Sequence, residues 1–167
     1  MKTLHSGSHP ILSQTIKNTT LWVGHLQSDP NDHLAGQTFR CPADGQLNNI
    51  QVYSAAVTQE GEVVLTLHAF GQAPGDWGPA IGESRLTIEK KDIAHWISFD
   101  LPPVPLQKGQ LYGFRLRSEK ALVGIGEAVS HAHRPFDFGQ AWTAHSENGR
   151  GHFYNYFSLA FKVELCA

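Results

Sequence analysis

Ten histidines stand in a chain of 167 residues, and His131-Ala-His133 is the tightest pair among them. In an extended segment, residues two apart share a face, so the two imidazoles point the same way, as ligands of one divalent ion must. A complete site needs further donors, and Asp137, His152, Glu127 and His145 are side chains of suitable chemistry in the neighbouring sequence. The expected ligand set is His131, His133 and either Asp137 or His152. Two fixed ligands are an incomplete motif, and solvated loop histidines are the commoner outcome of such a pattern. No cofactor is therefore expected, with a divalent metal ion as the alternative.

Covalent catalysis finds little support. The chain has no Gly-x-Ser-x-Gly turn and no cysteine in a helix-start context. Gly124-Ile-Gly126 lacks the third glycine and the following helix of a dinucleotide site. Glu127 and Asp137 have the chemistry of a glycosidase acid and base, but spacing in sequence does not fix their separation, and two solvated surface acids are expected. Ser28-Asp-Pro-Asn-Asp32 offers oxygens for calcium through Asp29, Asn31 and Asp32, yet these residue types also build turns, and a turn is expected. The chain reads as non-catalytic.

Aromatic residues point to binding instead. Trp77 sits between Gly75-Asp76 and Gly78-Pro79, a loop with no periodicity to bury it. A loop tryptophan can stack on the apolar face of a sugar ring while Asp76 accepts from hydroxyls. The competing reading folds Trp77 back onto the protein. Phe136 and Phe138 precede Trp142 in Arg134-Pro-Phe-Asp-Phe-Gly-Gln140, and the three either line a shared cleft or cover a sheet edge. The candidate ligand contacts are Asp76, Trp77, Phe136, Phe138 and Trp142. Trp22 and Trp96 lie within strand patterns and are expected in the core.

The elements that hold these loops read as strands. Phe157, Leu159, Phe161, Val163 and Leu165 fall on one face of a segment whose other face is Ser158, Ala160, Lys162 and Glu164. Similar period-two patterns place further strands at residues 37–40, 47–54, 63–70, 84–88, 96–101, 111–118, 122–127 and 140–144. About nine short strands with little or no helix predict an all-β, antiparallel sandwich of jelly-roll type. Residues 1–18 are polar and unpatterned and read as a flexible arm, followed by one domain over 19–167. Long connections at 71–80 and 130–156 are where function is expected, as in other β-sandwiches.

The order Gly36-Gln-Thr-Phe-Arg-Cys-Pro-Ala-Asp-Gly-Gln-Leu-Asn-Asn-Ile-Gln-Val52, Val64-Leu-Thr-Leu67, Trp96-Ile-Ser-Phe99, Val104-Pro-Leu-Gln-Lys-Gly-Gln-Leu-Tyr112 and Leu159-Ala-Phe-Lys-Val163 resembles bacterial jelly-roll accessory modules, often described as carbohydrate-binding-like. That resemblance implies a carbohydrate or other extended ligand. A fainter likeness, carried by Gly126, His131, His133, Asp137, Gly139, His152 and Asn155, is to the metal motifs of cupins, and it implies a metal-dependent enzyme as the first alternative. A structural protein whose aromatic-rich 136–156 region buries against an identical subunit, a homo-oligomer, is the second. A net charge of −2 supplies no basic field, so nucleic acid is not an expected partner. Membrane insertion is not expected either, for want of a long apolar run. The first residues lack the apolar stretch of a secretory signal, and Cys41 and Cys166 read as free thiols, which together give a cytoplasmic location as the default expectation.

Overall fold

The computed structural model describes residues 8–71, 75–130, 134–145 and 151–167. Among them the alternating segments form strands β1 (Ser8–Gln14), β2 (Thr19–His25), β3 (Asp32–Arg40), β4 (Gly45–Gln59) and β5 (Gly61–Gly71). Then come β6 (Gly82–Ile88), β7 (His95–Asp100), β8 (Pro105–Leu106), β9 (Leu111–Arg117) and β10 (Leu122–Val129). β11 (Ala141–His145), β12 (His152–Tyr154), β13 (Phe157–Leu159) and β14 (Phe161–Cys166) follow. The helix content of the described residues is one 3-10 turn, Lys90–Asp92.

All pairings are antiparallel, and they build two facing layers. One runs β1, β14, β4, β7. The other runs β12, β11, β3, β9, β5, β6. Phe161 of β14 reaches across to Phe39 of β3 and Phe114 of β9, with ring centroids 6.2 and 5.8 Å apart. The 15-residue β4 is long enough to belong to more than one neighbourhood. Its second half pairs with β10 through two register shifts, and such bulges bend and twist a strand out of its layer. β10 then pairs with β2, and β2 with β3, so hydrogen bonds bridge the layers at one end.

Each of the nine expected strands falls on an observed one, but the described residues contain fourteen strands, not nine. The additions are β1, β2, β8, β12 and the division of the last expected strand. β8 has two residues, and β12 has three. The expected strand at 157–165 is two strands: Ala160 interrupts it by donating its N–H to the Gly126 carbonyl. The arm reading is corrected for residues 8–14, which form an edge strand against β14 from Ser8↔Cys166 to Gln14↔Phe161. Its register shifts next to Pro10, which has no N–H to give the ladder and is tolerated at an edge.

Trp22 is also corrected. Val23 takes the core position on β2, and the alternation turns Trp22 outwards, 40% exposed. Trp96 is only half-buried and lies under the Lys162 ammonium, 4.2 Å from the ring centroid. Both cysteines are free thiols, and burial pushes that of Cys41 up from its ordinary value. No helix among the described residues is long and apolar enough to cross a membrane.

Candidate functional site

Period two assigns the odd positions of β9 to the face away from the core. Gly113 and Arg115 therefore stand beside His68 and Thr66 of β5, their partners across the ladder, and Phe70 lies at the register shift just beyond. Gly113 decides what covers this face. A Cβ there would lie 2.8 Å from Phe70 and 3.0 Å from Trp77, so only the bare glycine lets both rings lie down on β9. Trp77 is consequently half-buried, folded onto the sheet, with its centroid 4.9 Å from Phe70, 5.0 Å from His68 and 5.2 Å from Trp142. Phe153 of β12 stacks nearly parallel to it at 6.2 Å.

His68 ties the loop to the strand beneath. Its Nδ1 is 2.9 Å from the Gly78 carbonyl and its Nε2 is 2.8 Å from the Thr66 hydroxyl. A carbonyl only accepts, so Nδ1 carries the proton and donates, and the neutral ring accepts at Nε2 from Thr66. Desolvation first, and then the Arg115 charge, lower the His68 pKa and keep the ring neutral. The Ile81 N–H reaches the Leu67 carbonyl at 2.7 Å, closing the other end of the loop.

Asp76, Trp77, Arg115, Trp142 and Phe153 line one cavity of about 530 Å³ on this outer face. The Arg115 guanidinium is 4.9 Å from the Trp77 centroid and 5.9 Å from that of Trp142, close enough for a cation–π contact with both. The Trp77 indole Nε1 is buried and has no acceptor among the described residues. Such an unpaired buried donor costs about 1–3 kcal/mol.

Three of the five aromatic or acidic candidates therefore meet: Asp76, Trp77 and Trp142. Phe136 and Phe138 do not join them. Phe138 packs on Phe161 at 5.6 Å and Phe136 on Phe138 at 5.5 Å, so this pair extends the core instead of lining a cleft with Trp142. Arg115, Phe153, Phe70 and His68 are additions that the sequence did not single out.

The metal candidates fare differently. His131 and His133 lie outside the described residues. Asp137 and His152 are both exposed, the latter facing Tyr154 with ring centroids 6.4 Å apart. No group of three or more His, Cys, Asp or Glu among the described residues is arranged to hold a metal ion. The 28–32 loop is the turn joining β2 to β3: Asp29 accepts from the Asn31 N–H, and that bond first lowers its pKa.

Glu127 and Asp137 do not share surroundings, since Glu127 is 6% exposed and Asp137 lies in water. Glu127 faces a second cavity of about 280 Å³ with Leu21, Thr143, Tyr154 and Phe157. Burial pushes its pKa up from 4.5 to about 7. The folded protein thus holds the proton more tightly than the unfolded chain, so this stabilisation is complete below pH 4.5 and is lost as pH rises through about 7. Glu127→Gln is expected to melt like the parent below that window and to be more stable above it, by on the order of 1–3 kcal/mol. Melting temperatures of both proteins from acid to mildly alkaline pH test this, and a difference that does not open with pH sinks it.

Compared with known proteins, the chain matches no protein-family model and no curated protein.

Proposed function

We propose that the chain is a non-catalytic binding module that takes a carbohydrate, or a similarly extended hydroxyl-rich ligand, in the cavity of Asp76, Trp77 and Trp142. The convergence of those residues with Arg115 and Phe153 carries the reading. Indole and phenyl walls suit the apolar faces of sugar rings, while Asp76 accepts from hydroxyls and Arg115 donates to them. A volume of about 530 Å³ lies within the range of small-ligand sites. A jelly-roll kinship with bacterial accessory modules belongs to the same proposal.

A printed glycan array followed by calorimetry with the best-bound oligosaccharide tests it. Trp77→Ala is expected to weaken binding at least tenfold, about 1.4 kcal/mol. Asp76→Asn, at an exposed position with little bearing on folding, is expected to weaken it as well. An array with no retained glycan, or binding that both variants leave intact, would overturn the proposal.

A further inference from the structure

We propose that His33 and His145 form a two-histidine site for a borderline divalent metal ion of the zinc class, oriented by Asp29. The two residues are 112 positions apart in sequence. They become direct partners at the end of the β3–β11 ladder, and directly opposed residues of an antiparallel pair share a face. Their Nδ1 atoms lie 3.3 Å apart, with the rings nearly perpendicular. Two nitrogens bound tetrahedrally to one zinc ion at about 2.0–2.1 Å are themselves roughly 3.3–3.4 Å apart. The ladder has set the spacing that the ion requires.

The proton inventory agrees. The His33 Nε2 lies 3.1 Å from the Asp29 Oδ2. An ionised carboxylate only accepts, so Nε2 carries the proton, and in the neutral ring the Nδ1 lone pair accepts from the His145 Nδ1–H; the ion takes the place of that proton, which passes to His145 Nε2 or to solvent. The carboxylate–histidine arrangement that fixes tautomer and ring orientation behind metal ligands is thus present on the far side of His33. Asp29 is held for this by the Asn31 N–H at 2.9 Å.

Both imidazoles also line a cavity of about 500 Å³ with Leu21, Trp22, Leu26 and Leu34 among its walls. Two protein ligands leave positions on the ion open to this space, for water or an anionic group. Thr143, which also lines the cavity, is on β11 next to Trp142, but successive strand residues face opposite sides. The metal site and the proposed ligand cavity therefore lie on opposite faces of β11.

The test is calorimetric titration of untagged protein with zinc chloride, repeated on variants. One equivalent is expected to bind. His145→Ala, at an exposed strand end, and His33→Ala are each expected to weaken binding by tenfold or more, and Asp29→Asn by roughly 10–100-fold. Copper(II) in place of zinc should give an electron paramagnetic resonance spectrum with two nitrogen donors, reduced to one in His145→Ala. Trp77→Ala should leave zinc affinity unchanged, so failure here is separable from failure of the binding-module reading. The proposal is overturned if the parent binds no zinc, if His33→Ala and His145→Ala both retain full affinity, or if affinity is lost only in the double variant His131→Ala/His133→Ala.

Discussion

Phe161→Ala is expected to lower stability by about 3–5 kcal/mol. The ring is fully buried where both layers meet, touching Phe39 of β3, Phe114 of β9 and Phe138 of the 134–140 segment. Truncation removes its transfer energy and leaves a cavity whose walls belong to three differently anchored elements, so collapse around it is restricted. For a domain of this size each kcal/mol moves the melting temperature roughly 2–4 °C, which places the expected fall at about 6–20 °C. Urea denaturation should show a lower midpoint at unchanged slope. A loss under about 1 kcal/mol would mean that the layers are held elsewhere.

Gly24→Ala should be comparably damaging, by about 3 kcal/mol or more, although it adds a single methyl group. Gly24 has φ of 123°, a conformation that L-residues with a Cβ rarely adopt. Its added Cβ would also overlap the backbone carbonyl oxygen of Ala121. That carbonyl accepts from the His25 N–H at 2.9 Å, so it cannot retreat without breaking the junction of β2 with β10. Because β2 leads into the turn that carries Asp29 and on to His33 at the start of β3, zinc affinity should fall together with the urea midpoint. A variant as stable as the parent would show that the junction yields.

Strands were legible in the sequence where several alternate residues in a row meet the core, which β2, with Val23 as its one fully buried large apolar side chain, does not offer. Phe161, Val163 and Leu165 announce β14 through alternation, and all three are buried. β1 was not legible, because its Ser8-His9-Pro10 start is polar and its exposed positions break the pattern; it is a strand only because β14 offers an open edge. The site divides along similar lines. Asp76 and Trp77 declared themselves as loop residues without a structural period, whereas Arg115 sits in a strand and looks like any solvent-facing cation. His145 was named as a possible further donor, but its pairing with His33 was hidden for a different reason. Nothing local links them, and only the β3–β11 register makes them neighbours.

The place of β14 between β1 and β4 also governs the order in which the molecule can be assembled. A chain emerging from the ribosome presents β1 and the first half of β4 early, yet the strand that joins them is the last of the described strands to appear. Until its six residues are released, both neighbours display unpaired edges, which invite association with other nascent chains. Pairing of Ser8 with Cys166 gives the fold contacts of nearly maximal sequence separation, and such topologies fold slowly. The first layer is therefore completed only once β14 has followed the other described strands.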